Sequence, residues 1–454
     1  MYYLMGWRCF PQRGSASLSL KHYGMPESKQ RDFQQRWKPI RSHYRLKRTF
    51  IYRLAVVVGI CCAVQLIQLH VQARRSLEAK FTTTQFEDDA EVSSRYNNIS
   101  STFDRDELLA ARPDWRLLGS GCEGSAFTWN GLVIKTYKTT RSRFRNCFAS
   151  SLVGDLILKN DENLRYPTRW PTEIPATLLV GSEPGFLPAR DAFFASPSPS
   201  EVAQWHLVTP LAEGGTLQSL ARQVLQDAPE GDLSIQSLDS RFRPKFNDML
   251  QAIQNLHEQG LCHDDIKPDN IFVGTSMAAG EDGPWIIGDL GNARHILHPY
   301  HTSRVWTQSN SQLPDCRAND ALRAVKTYLQ FLRQISSTSS AMRPDEDFDS
   351  ALPEAKEPWA RLFWLADDAG NDLSVEQVKI WAAMEDNPTE GADQIPMPHR
   401  NALGFARTWL LSPFAGWQSE LSRAADVALK ISASDGWTRK LALTWFLGVP
   451  AGRC

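Results

Sequence analysis

The sequence predicts an α+β protein, with a β-hairpin ahead of helical segments, behind an N-terminal transmembrane helix. Three observations lead there. Apolar runs around residues 117–137 turn back at Asn130-Gly131, and Asn-Gly between such runs is a strong hairpin signal. Within 242–259, Phe246, Met249, Leu250, Ile253 and Leu256 recur at helical spacing, in a stripe that ends at Gly260. Residues 54–71 are mostly apolar and read as the transmembrane helix.

In chain order, residues 1–53 form a basic arm with twelve Lys and Arg against Glu27 and Asp32, although the whole chain carries a formal charge of only −1. The 22 residues from Phe50 to Val71 would cross a ~30 Å hydrocarbon core at about 1.5 Å per residue. Arg53, Gln65, Gln68 and His70 interrupt the run, but Leu54 to Val64 lacks the polar face of an ordinary buried helix. Arg36, Lys38, Arg41, Arg45, Lys47, Arg48 and Arg53 precede it, against Arg74, Arg75 and Lys80 after it. This bias predicts a single-pass membrane protein with a cytosolic N-terminus and a lumenal or extracellular remainder, in which Asn98-Ile99-Ser100 would be a glycosylation acceptor. A mitochondrial membrane is the alternative, because residues 1–26 contain no acid and carry Arg8, Arg13 and Lys21. No nucleic-acid motif accompanies the arm, so no nucleic-acid partner is expected. Residues 72–106, with Thr82-Thr83-Thr84 and Asp88-Asp89, read as a polar stalk, leaving 107–454 as the folded part. After the span, Cys122, Cys147, Cys262, Cys316 and Cys454 are odd in number and contain no CxxC pair, so their pairing is open.

Three stretches carry chemistry. Gly119-Ser120-Gly121-Cys122-Glu123-Gly124 lies between two strands, where glycines let backbone N–H groups approach phosphate oxygens; Lys135 follows on the third strand. His263-Asp264-Asp265-Ile266-Lys267-Pro268-Asp269-Asn270 sets a carboxylate, an ammonium and an amide in one short loop. Phosphoryl transfer can use all three, since its catalysis is mostly positioning and charge neutralisation. Downstream, Ile286-Ile287-Gly288 runs into Asp289-Leu290-Gly291. A lone G-x-G-x-x-G is a weak signal that an ordinary turn also gives; several motifs in this order are more specific.

Together they resemble eukaryotic-type protein kinases of the Ser/Thr type, with residues 263–270 similar to the catalytic loop and Asp289-Leu290-Gly291 similar to the metal-binding Asp-Phe-Gly element. The resemblance covers roughly 107–340. It implies a two-lobed protein-kinase-like fold, with a β-rich lobe over about 107–212 and a helical lobe over about 213–454. It also implies ATP and Mg²⁺ as cofactors and Ser/Thr hydroxyls of a protein substrate as acceptors. By the same resemblance Asp265 orients the acceptor hydroxyl or takes its proton, Lys267 stabilises the moving phosphoryl group, and Asn270 and Asp289 hold Mg²⁺. Lys135 reaches the α- and β-phosphates and is fixed by Asp155, with Glu162 the other choice. Ala126 and Phe272 would sandwich adenine, Thr209 would take the gatekeeper position, and Pro210, Leu211 and Ala212 would offer backbone atoms. His263 reads as a prop. Asp320 is either a brace for the loop or a helix N-terminal acid.

Two departures stand out. Asp264 occupies the position where most regulated kinases have Arg, so no cation is there to receive a phosphorylated segment. No Ala-Pro-Glu equivalent precedes Asp320. A pseudokinase scaffold that binds nucleotide or partners, and a lumenal glycan or small-molecule kinase, are the rival readings.

Overall fold

The computed structural model describes residues 49–65, parts of 67–80, 90–100, 104–121, 124–137, 171–196, 203–227, 234–275, 282–304, 312–336 and most of 357–383, with short stretches near 201, 306, 348–352 and 425–431. The chain divides into two compact units, Met1–Leu69 and His70–Cys454. In the first, residues 49–65 are helical.

The second unit opens with helices α1 (Ala90–Ser100) and α2 (Arg105–Ala110), the latter capped by the Asp104 side chain on the amides of Asp106 and Glu107. An antiparallel sheet follows, built from β1 (Arg116–Ser120), β2 (Gly124–Trp129), β3 (Leu132–Tyr137), β4 (Asp191–Ala195) and β5 (Gln204–Pro210), in the order β1-β2-β3-β5-β4. The β2–β3 turn is the predicted one, with Asn130 at φ 46° and Gly131 at φ 72°, a pair of left-handed residues that suits the twist of a two-residue hairpin. Alternation along β3 sends Ile134 into a core cluster with Leu108, Trp115, Phe193 and Val208. Lys135 and Tyr137 therefore face the other way, toward helix α3 (Glu173–Val180).

The helical part contains α4 (Leu217–Asp227), α5 (Ile235–Glu258), α6 (Cys316–Ile335), α7 (Pro358–Asp367) and α8 (Val375–Ala383). Between α5 and α6 the chain makes two small ribbons, β6 (Leu261–Cys262) with β9 (Arg294–His295) and β7 (Ile271–Val273) with β8 (Trp285–Ile287). The apolar stripe predicted from Phe242 onward is buried, but α5 begins at Ile235 and runs through Pro244. The Ser234 hydroxyl accepts from Ser237 N–H and starts the helix earlier than the stripe suggests. Phe246 stacks on Tyr328 of α6 with ring centroids 4.3 Å apart, and the Tyr328 hydroxyl donates to Asp239 at 2.5 Å.

Two expectations are corrected here. Among the described residues no helix is long and apolar enough to cross a membrane, which overturns the transmembrane helix at 54–71 and points against a single-pass membrane protein, whether lumenal, extracellular or mitochondrial. The physical reason is length: the described helix over residues 49–65 is about 26 Å long at about 1.5 Å per residue, short of a ~30 Å core, and carries Arg53 within it. The two-lobed protein-kinase-like fold is not shown either. What is present is a mixed α/β arrangement with one five-stranded antiparallel sheet, all of it within a single compact unit from residue 70 onward.

Truncating Phe246 to Ala removes a fully buried ring from the α5–α6 contact. It should lower unfolding free energy by about 3–5 kcal/mol in urea titrations; an unchanged midpoint would mean that the stack is not part of the core.

Candidate active site

The loop between β6 and β7 is hung from α6. Asp320, with no exposed surface, accepts the backbone N–H groups of His263 at 2.7 Å and Asp264 at 2.9 Å, and His257 Nε2 lies 3.2 Å from the same carboxylate. Of the two readings open for Asp320, the brace is the one the geometry supports. His263 is buried, with Nδ1 accepting the Asp265 N–H at 3.2 Å. Its ring proton therefore sits on Nε2, which donates to the Gly288 carbonyl at 3.0 Å. This histidine is a strut between two loops.

Asp264 is held at φ 65°, a left-handed conformation uncommon outside glycine. Its carboxylate turns inward, 3.0 Å from Arg294 Nη1 and 2.8 Å from His301 Nε2. Burial pushes this carboxyl up, but the charges of His301 and Arg294 outweigh burial and the net direction is down. Burial likewise lowers His301, and Asp264 reverses the sign, leaving the imidazole above its ordinary value.

Asp265 sits at the centre. Lys267 Nζ is 2.7 Å from its Oδ2, the Asn270 amide donates to its backbone carbonyl at 2.9 Å, and Arg323 Nη2 of α6 donates to its Oδ1 at 3.1 Å. The Asn270 backbone carbonyl in turn accepts the Gly288 N–H at 2.9 Å, which ties this loop to Asp289. Asp289 also has a left-handed backbone, at φ 57°. Lys135 Nζ lies 3.0 Å from Asp289 Oδ1, bridging 154 residues of sequence, and is ion-paired with Glu173 of α3. Burial raises the Asp289 carboxyl, yet the charges of Lys135 and Lys267 hold it below its usual range. Glu173 goes the other way. Burial dominates there and raises it, despite Lys135 and a 2.7 Å hydrogen bond from the Tyr137 hydroxyl.

Asp155 and Glu162, the carboxylates expected to answer Lys135, lie outside the described residues. Glu173 was missed by sequence reasoning, although an acid in the first turn after Pro171-Thr172 was a readable helix start. Arg294, His301 and Arg323 were missed as well; nothing in their local sequence marks them, because their partners come from distant elements.

Gly119, Gly121 and Gly124 differ in their reasons. A Cβ on Gly124 would collide with the Thr136 carbonyl across the β2–β3 pair, so the sheet itself demands glycine there. Among the described residues nothing lies within 4 Å of a Cβ at Gly119 or Gly121, and neither has positive φ; the Gly121 N–H is donated to the Gly124 carbonyl at 2.8 Å. Ala126 is paired with Lys135 in the sheet, Thr209 with Val133, and Phe272 with Ile286. The Phe272 ring lies so close to Gly288 that a Cβ there would stand 2.6 Å from it. Leu211 N–H is taken by the Gly131 carbonyl at 2.8 Å, and Ala212 C=O accepts from Gly215 at 3.0 Å. These two groups are therefore engaged within the chain.

Cys262 and Cys316 form a disulfide with Cα atoms 6.0 Å apart, joining β6 to the start of α6. The sulfurs of the two buried clusters with metal-ligand atoms, His257-Cys262-Asp320 and Cys262-Asp264-Cys316, are thus bonded to each other.

A short stretch of the chain is similar to known kinases. Over 66 residues it is 38% identical to the serine/threonine-protein kinase PknD of Chlamydia caviae and 39% identical to that of Chlamydia abortus, covering 14% of this chain. The match spans only about 7% of the length of those relatives. No protein-family model matches. The chain therefore has a kinase-like region, small beside its whole length.

The Asp264–His301 pair gives stability a definite pH dependence. The raised imidazole contributes fully below 6.5, its ordinary value, and its contribution is lost as pH climbs through the raised value. The lowered carboxyl contributes fully above 3.8 and is lost on acidification. The charged pair is thus whole between those limits. Urea titrations should show wild type losing stability relative to His301→Gln as pH rises from about 6 to about 9; a gap that does not change with pH would remove the pair from the account.

Proposed function

We propose that the protein catalyses ATP- and Mg²⁺-dependent phosphoryl transfer to Ser/Thr hydroxyls of a protein substrate. The observation that carries this reading is the meeting of Lys135 with Asp289 at 3.0 Å beside the Asp265-Lys267-Asn270 cluster. A cation from one strand and a carboxylate from a distant loop are close enough to serve one polyphosphate and its metal. The short kinase-like match is consistent with it.

The donor set fits the cofactors. Asp289 and Asn270 offer hard oxygen ligands, and with the Asn270 NH₂ donating to Asp265, its Oδ1 is the atom that would face a magnesium ion. Among the described residues nothing would meet a Cβ at Gly119 or Gly121, which leaves room for phosphates against the loop. Lys135, steadied by Glu173, would neutralise phosphate charge. Bound Mg²⁺ would supply charge neutralisation on the phosphate oxygens. Asp265 would orient the acceptor hydroxyl and take its proton, and Lys267 would sit against the moving phosphoryl group. Thr209 and Ala212, with Ala126 and Phe272, would border the adenine. The Leu211 amide, bonded to Gly131, is not among the groups offered to it.

Full-length protein incubated with labelled ATP and Mg²⁺ should label a Ser/Thr peptide pool, and Asp265→Asn should fall by about 10²–10⁴-fold. Equal labelling by both proteins would leave a nucleotide- or partner-binding scaffold, and labelling of glycan but not peptide acceptors would move the substrate class. Because Asp264 is already engaged with Arg294 and His301, replacing Thr302, Ser303 and Thr307 together by Ala should leave the rate within about twofold. A collapse would show that phosphorylation of this segment is needed.

A further inference from the structure

Arg323 stands one turn beyond Asp320 on α6, and its guanidinium is almost entirely enclosed, with 10% of the side chain exposed. A buried cation is costly unless paired and hydrogen-bonded. Its Nη2 donates to Asp265 Oδ1, and its Nε has no hydrogen-bond partner among the described residues. Its helical neighbours Ala321, Ala324 and Val325 are fully buried and apolar, so packing alone would favour an apolar residue here too. Asp265 does not need Arg323 for neutralisation, since Lys267 already meets its other oxygen at 2.7 Å. The arrangement divides the carboxylate: Oδ2 faces Lys267 and the Asn270 amide, and Oδ1 is tied to α6.

We propose that Arg323 is a positioning residue for the phosphoryl transfer put forward above, holding Asp265 Oδ1 so that Oδ2 is the oxygen presented to the acceptor. The inference rests on that reading of the site. In the step, the acceptor O–H proton passes to Asp265 Oδ2 and the acceptor oxygen bonds to the terminal phosphorus. The bond from that phosphorus to its bridging oxygen breaks, and ADP leaves with the electron pair. Arg323 touches none of the reacting atoms. It fixes the acid's rotamer from the same helix whose Asp320 fixes the backbone of the two residues before it.

The test is a double-mutant cycle in the full-length protein with ATP, Mg²⁺ and a peptide acceptor. Arg323→Met should lower kcat about 10- to 100-fold with KM for ATP and equilibrium nucleotide affinity within about twofold, as expected when a reacting group is displaced but binding is not. Arg323→Lys, which keeps the charge and loses the fork, should recover part of that loss and stands in if the Met variant does not fold. In the Asp265→Asn background Arg323→Met should cost nothing further in kcat, whereas a merely structural role would reduce the rate by the same factor in both backgrounds. Wild-type kcat in Arg323→Met, equal factors in both backgrounds, or a rise in KM alone would each overturn the positioning role and leave the phosphotransfer reading intact. No difference between wild type and Asp265→Asn would overturn both.

Discussion

The carboxylate of Asp320 is the interaction on which the rest hangs. A buried anion accepting two backbone N–H groups makes charge-assisted hydrogen bonds, roughly twice as strong as neutral ones, and here both amides belong to the loop that carries Asp265. With His263 and Asp264 pinned, His263 can brace Gly288, and Asp264 can hold a left-handed backbone that it would otherwise rarely adopt. Asp320 can serve this way only because α6 is itself immobilised, through the stack of Tyr328 on Phe246 and the burial of Phe331 and Leu332. The apolar core thus reaches the candidate site through one helix.

Charge is arranged in pairs of unlike origin. Lys135 arrives by the two-residue period of a strand, Asp289 and Asp264 by left-handed turns, and Arg294 and His301 from the segment that follows Asp289. At position 264 the polarity is the reverse of that expected in regulated kinases. The loop supplies the anion and the following segment supplies the cations, so resident side chains hold that segment in place.

What the sequence disclosed and what it hid follow a physical divide. The Asn130-Gly131 hairpin, the α5 stripe and the grouping of Asp265, Lys267 and Asn270 were legible because each depends on neighbours a few residues away. Glu173, Arg294, His301 and Arg323 were not, since each matters through a partner 30 or more residues distant. The glycines mislead in an instructive way: all three were assigned to phosphate approach, while the sheet alone explains Gly124. The apolar stretch after the basic arm was over-read for another reason. Hydrophobic content was summed over residues 50–71, whereas the length of helix actually formed, residues 49–65 among those described, was the quantity that decided the matter.

The covalent link between Cys262 and Cys316 has a topological consequence. It closes a ring of the chain that contains Asp265, Lys267, Asn270, Asp289, Arg294 and His301, with Asp320 and Arg323 just beyond its clasp. Any partial opening of this region must keep the two ends of the hoop together, which limits how far the acids and cations can stray from one another. In reducing surroundings the clasp would open, and their grouping would rest on hydrogen bonds and packing alone.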